Sequence, residues 1–267
     1  LWQGDCLLQR GVSGPKGCCG KVNMKRLHII KAGTTYASIA GHYGDFDAWT
    51  AAGLGPLGTE ACVIDAGHGA ALPPAEDCAG VVITGSHAMV TDDLPWSIGV
   101  ERWIPSLIGA GVPVLGICYG HQLLARAMGG RVGYHPLGEE IGTVEIRLLE
   151  GSAGDPLFRL FPPFFFAHAA HSQTVLSLPP NATPLAANAH DPHHAYRIGD
   201  CAWGLQFHPE YDESIMRLYI MAQSGELVKE GRNVPKLLAG VSKTPVAAKT
   251  LTNFAGIVRE RQAGPAL

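Results

Sequence analysis

Residues 112–124 read VPVLGICYGHQLL. The run Val112–Ile117 is short, apolar and rich in branched side chains, which suits a strand buried on both faces. Helical spacing begins almost at once, over His121–Met128. Between them stands Gly116-Ile117-Cys118-Tyr119-Gly120, a G-x-nucleophile-x-G elbow with cysteine as the nucleophile. A side chain on such a sharp strand-to-helix turn is lifted above the sheet on strained backbone. The flanking glycines remove the Cβ atoms that would clash there. The helix N-terminus beneath the sulfur stabilises a thiolate and offers free N–H groups to an oxyanion. A buried cysteine in a glycine-rich turn is the simpler reading, so the elbow needs a partner.

Outward from the elbow, the chain alternates. Strand-like runs occupy Leu27–Lys31, Ala61–Asp65 and Val81–Thr84, and helical spacing fits Asp45–Ala52 and Trp96–Gly109. Short apolar strands alternating with helices predict an α/β domain, an open and mostly parallel sheet with helices on both faces. The pattern then changes. Residues 132–149 and 164–207 are strand-rich segments broken by Pro, Gly and Asn. Helical stretches over Tyr211–Lys229 and Val246–Arg261 close the chain. In the second, Val246, Leu251, Phe254, Ile257 and Val258 form a stripe that reads as core packing.

The partner to the elbow lies at 203–211, WGLQFHPEY. His208 and Glu210 are two apart, and on extended backbone such positions share a face. Glu210 can then hold one imidazole nitrogen of His208 and leave the other for a nucleophile, the base-plus-orienter arrangement an activated cysteine needs. Pro209 cannot donate to a ladder, so His208 is expected at the end of a strand over Ala202–Phe207.

Together, GICYGHQLL and GLQFHPEY resemble the class I glutamine amidotransferases, most nearly the glutaminase domain of the GMP synthase type. The resemblance runs from Met24 onward and includes VVITGS at 81–86 and HSQTVLSLPP at 171–180. It implies a flavodoxin-like three-layer fold. It implies Cys118 as nucleophile, His208 as general base and Glu210 as the orienting carboxylate. Backbone N–H groups of Gly85 and Tyr119 would form the oxyanion hole. Gln122 and the segment His171, Ser172, Gln173 and Thr174 would hold the glutamine backbone groups. The implied reaction is hydrolysis of the glutamine side-chain amide through a cysteine thioester, with no metal and no organic cofactor.

GMP synthases join such a domain to an ATP-using synthetase domain, and this sequence has neither a P-loop nor an SGGxDS-like loop. A separate synthetase subunit as ammonia acceptor is one expectation. A stand-alone γ-glutamyl hydrolase or peptidase is the alternative, and a catalytically silent module is a third that intact Cys118, His208 and Glu210 argue against.

Composition narrows the partners. With net charge −3, the chain has no basic field for nucleic acid or an anionic membrane. Seven irregularly spaced cysteines form neither a disulfide framework nor a zinc motif, and Cys62, Cys78 and Cys201 read as small core residues. That usage points to a reducing, cytoplasmic setting. Residues 1–23 lack any period and read as an extension preceding a natural start at Met24, with the amidotransferase domain over 24–267.

Other motifs are weaker. GLGPLG at 53–58 matches a dinucleotide fingerprint but follows a helix-like segment instead of a strand. His190, His193 and His194 crowd an Asp-Pro turn that reads as a hairpin loop, not a metal site. Asn181-Ala182-Thr183 is a glycosylation sequon with no use in a cytoplasmic protein.

Overall fold

The computed structural model describes residues 25–56 and 61–264. The expected extension over residues 1–23 lies outside the described residues. Strands β1 (Arg26–Lys31), β2 (Cys62–Asp65), β3 (Cys78–Ile83) and β4 (Val114–Ile117) appear where the apolar runs place them. Between them run α1 (Ala37–Tyr43), α2 (Phe46–Leu54) and α3 (Pro95–Gly109). Asp45 caps α2 by accepting from the Phe46 N–H, and Pro95 opens α3, where its missing N–H costs nothing.

After β4 come α4 (Tyr119–Ala127) and seven further strands: β5 (Arg131–Tyr134), β6 (Glu140–Leu148), β7 (Phe164–His171), β8 (Gln173–Ser177), β9 (Ala182–Ala187), β10 (Ala195–Ile198) and β11 (Ala202–Leu205). The helices α5 (Glu213–Ala222), α6 (Ser224–Lys229), α7 (Val234–Ala239) and α8 (Pro245–Ala263) complete the chain.

The main sheet has nine strands in the order β2-β1-β3-β4-β11-β10-β9-β6-β7. Its first five strands pair in parallel and the remainder antiparallel. The parallel half has the 2-1-3-4-5 order of doubly wound sheets, in which ligands sit beyond the carboxyl ends of the strands. Alternation along each strand feeds two cores. Ile29, Val82, Leu115 and Trp203 face one side, where Leu54 of α2 and Leu251 and Phe254 of α8 cover them. Ile30, Val81, Ile83 and Val114 face the other, under Ile104 and Leu107 of α3 and Leu123 and Leu124 of α4. This gives the expected three layers. The stripe on α8 is core, as its spacing implies; Leu251, Phe254, Ile257 and Val258 are buried.

A third apolar cluster caps the carboxyl ends. It joins Ile39 of α1, Phe46 and Trp49 of α2, Tyr211, and Ile215, Met216 and Tyr219 of α5. α1 and α7 carry no clear period and are not expected from the sequence. The expected helix over 211–229 is two helices, because Gln223 ends α5 and Gly225 follows in the first turn of α6. Gly53 lies inside α2 with Leu251 packed where a side chain would stand, and Gly55 caps the helix end with φ 69°. Cys78 and Cys201 are buried as expected, but Cys62 is half-buried on edge strand β2. Among the described residues, no helix is long and apolar enough to cross a membrane.

Candidate active site

The elbow forms as its glycines require. Cys118 directly follows β4 and precedes the first turn of α4 with φ 48° and ψ −96°, a strained conformation for a residue with a side chain. A Cβ on Gly116 would stand 2.4 Å from the Gly120 carbonyl oxygen, and one on Gly120 would stand 2.3 Å from that of Ile83. Both contacts are with backbone, which cannot swing aside. The Cys118 N–H is anchored to the Leu205 carbonyl at 2.7 Å, tying the end of the elbow's strand to β11. Its Sγ lies 3.8 Å from the Ala170 carbonyl at the end of β7.

His208 lies three residues beyond β11, not at the very end of that strand, and is held by a separate backbone contact. Its N–H donates to the His168 carbonyl at 2.8 Å. The imidazole Nδ1 is 2.7 Å from Glu210 Oε1, and the ring lies within electrostatic reach of Cys118. Tyr211 stacks on the imidazole at 4.1 Å and 16°. Burial favours the neutral ring, but Glu210 and Cys118 outweigh it and push His208 up to about 10. Glu210 is itself buried.

Cys118 opens into a cavity of about 150 Å³ lined by Ser86, His87, Tyr119, Gln122, His171 and Ser172, with Tyr36, Glu139 and Tyr219 on its wall. Gly85 abuts His208; a Cβ there would meet its Cε1 at 3.0 Å. Tyr119 contributes the first N–H of α4, which has no acceptor within the helix. Its side chain turns away to Ser97, 2.6 Å from the hydroxyl. Gln122 Nε2 donates to the Gln173 carbonyl and to Gln206 Oε1, at 2.7 and 3.1 Å. Gln173 Nε2 donates to Thr91 Oγ1 at 2.6 Å. Thr174 is placed differently from the other expected pocket residues: it is buried and its hydroxyl donates to Asp191, away from the cavity.

Behind His171 lies a second buried constellation. Glu140 Oε2 is 3.0 Å from His171 Nε2 and 2.8 Å from His194 Nε2. Burial disfavours this carboxylate, but its contacts with His171 and His194 outweigh burial and hold the acid well below its ordinary range. Glu140 has no neighbouring motif in the sequence to mark it. His87 lines the cavity, and burial and the nearby His208 lower its pKa. Burial and nearby Glu230 raise that of Glu139.

The chain matches the family model described as glutamine amidotransferase class-I over residues 49–225. It is 37% identical over 142 residues to a glutamine-hydrolysing GMP synthase of Aeropyrum pernix, covering 53% of this chain and 25% of the relative. It is 32% identical over 143 residues to gamma-glutamyl peptidase 3 of Arabidopsis thaliana, covering 51% of this chain and 56% of the relative. The chain therefore spans about a quarter of the first relative and about half of the second. A glutamine amidotransferase structure from Methylobacillus flagellatus superposes with a TM-score of 0.67 at 28% identity, covering 88% of this chain and 92% of that one. A Thermotoga maritima glutamine amidotransferase, 24% identical with a TM-score of 0.69 over 88% and 99% of the two chains, shares the fold.

Proposed function

The chain belongs to the class I glutamine amidotransferases, and from that premise we propose that it hydrolyses the side-chain amide of glutamine through Cys118. The observation that supports this reading is the buried His208–Glu210 pair within electrostatic reach of Cys118, which itself lines a small cavity. His208 takes the thiol proton, and the thiolate attacks the γ-amide carbon. The oxyanion of the tetrahedral adduct faces the N–H groups of Gly85 and Tyr119; each such donor is worth about 3–4 kcal/mol. The C–N bond breaks as His208 returns its proton to departing ammonia, leaving a γ-glutamyl thioester. His208 then deprotonates a water, which attacks the thioester; the C–S bond breaks and glutamate and the free thiol return. Glu210 holds one His208 tautomer and stabilises the imidazolium without exchanging a proton itself. Gln122, His171, Ser172 and Gln173 border the glutamine backbone groups.

A second reading keeps the same chemistry with a different leaving group. The match to about half of a γ-glutamyl peptidase supports an amine larger than ammonia, and Tyr36, His87 and Tyr219 offer an aromatic wall for it. The synthetase partner of the first reading and the γ-glutamyl compound of the second are separated by one assay. Glutamine and a set of γ-glutamyl dipeptides are compared by kcat/KM, with and without cell extract. Glutamine turnover that rises with extract supports the amidotransferase subunit. Dipeptide turnover that exceeds glutamine turnover and ignores extract supports the peptidase. No turnover of either contradicts both.

A further inference from the structure

We infer that Glu140, His171 and His194 form a binding site for one zinc ion, which pins the wall behind the substrate cavity. Their three ligand atoms lie within 4.8 Å of one another, and all three side chains are buried. Two imidazole nitrogens and one carboxylate oxygen suit zinc, with the fourth tetrahedral position left for water.

Proton counting supplies the independent argument. His171 Nδ1 is 3.0 Å from the Gln173 carbonyl, and Nε2 is 3.0 Å from the Glu140 carboxylate. Both partners are acceptors, yet a neutral imidazole has one N–H. His171 therefore needs either a second proton or a cation on its Nε2 side. A zinc ion between Nε2 and Glu140 Oε2 meets that need. Nδ1–H then donates to the Gln173 carbonyl and fixes the tautomer that presents Nε2 to the metal, the usual support of a metal-bound histidine. The carboxylate is oriented too, since Asn188 Nδ2 donates to Glu140 Oε1 at 2.7 Å.

The ligands come from three segments. Glu140 opens β6, His171 closes β7 directly opposite it, and His194 stands on the loop between β9 and β10. An ion here would lock that loop to the paired strands. The half-buried His190 stacks on His135 at 4.1 Å and meets the edge of His171 at 6.3 Å. The local run His190, His193, His194 does not itself converge. His190 Nε2 faces the Gly138 carbonyl and His193 Nδ1 the Val175 carbonyl, so only His194 turns to Glu140. The site takes no part in the thioester chemistry and does not depend on that reading.

The test uses the full chain carrying Cys118→Ser, which removes the active-site thiol as a competing ligand. After dialysis against chelator it is titrated with cobalt and then zinc. One cobalt per chain should bind with the visible bands of a tetrahedral nitrogen–oxygen site and be displaced by zinc. Zinc at a hundred times its Kd should raise Tm by roughly 5–10 °C. His194→Gln keeps an amide donor for Glu140 but is a poor zinc ligand. It should lose the cobalt bands and the zinc shift while melting near its parent without metal. Equal titrations for parent and variant would overturn the site. X-ray absorption of the zinc-loaded parent needs no variant; two imidazoles without sulfur are expected, and a sulfur shell would also overturn it.

Discussion

Two histidine–glutamate pairs are buried in this molecule, and they differ in what the rest of each histidine faces. His208 is held by Glu210 at 2.7 Å and lies within electrostatic reach of Cys118. His171 meets Glu140 at 3.0 Å and turns its other nitrogen to a backbone carbonyl. The first pair lies beside a cysteine on strained backbone. The second is coupled to another histidine and to the chain around it. On the proposed reading the same two side-chain types serve chemistry in one place and architecture in the other, decided by the partner of the histidine and not by the pair.

The largest effect that could break this contrast is on turnover. Cys118→Ala should lower kcat by at least about 10⁴-fold, since no other group supplies the covalent step. Steady-state hydrolysis of the best substrate checks it, and substantial remaining activity would remove the chemical half of the contrast. Glu210→Gln retains shape and one acceptor but loses the charge. It should lower kcat roughly 10²–10⁴-fold with KM nearly unchanged. Glu140→Ala should show the opposite signature. Removing the carboxylate strands His171, His194 and Asn188 without their buried acceptor, at a cost of about 3–5 kcal/mol in unfolding free energy. Urea denaturation measures it, and a loss below about 1 kcal/mol would deny the second pair its structural role.

The smallest effect is the dependence of stability on pH, and its sign separates the pairs. The folded-state pKa of His208 is raised from 6.5 to about 10. Its contribution is full below about pH 6.5 and is lost as pH rises through about 10. Glu140 is shifted downward from 4.5, so its contribution is full above about pH 4.5 and is lost as pH falls. The stability gap between wild type and Glu210→Gln should narrow toward alkali, and the gap to Glu140→Gln should narrow toward acid. Denaturation series at several pH values read both, and gaps that narrow in the same direction would contradict the assignment.

The two pairs also differ in how they are written in the chain. Cys118 is legible because the elbow needs two glycines at fixed offsets, and both meet backbone within 2.5 Å. His208 and Glu210 are legible because they stand two apart after an apolar strand. Glu140 is separated by 31 residues from His171 and by 54 from His194, so no local spacing reveals it. Only the pairing of β6 with β7 and the turn of the loop before β10 bring the three together. The same limit explains Thr174. Its place in HSQTVLSLPP suggests the pocket, but strand alternation turns it to Asp191. The parallel half of the sheet follows from its apolar runs. The short helices α1 and α7 do not, because at seven and six residues they owe their form to tertiary packing more than to a period of their own.

The central claim is that Glu210 acts on Cys118 through His208. The most direct measurement is the rate of Cys118 alkylation by a strong electrophile as a function of pH, in wild type and in Glu210→Gln. Coupling predicts slower alkylation of the variant at neutral pH and a displaced pH profile, with the reaction still reaching completion. Superimposable profiles would contradict it and remove Glu210 from the triad.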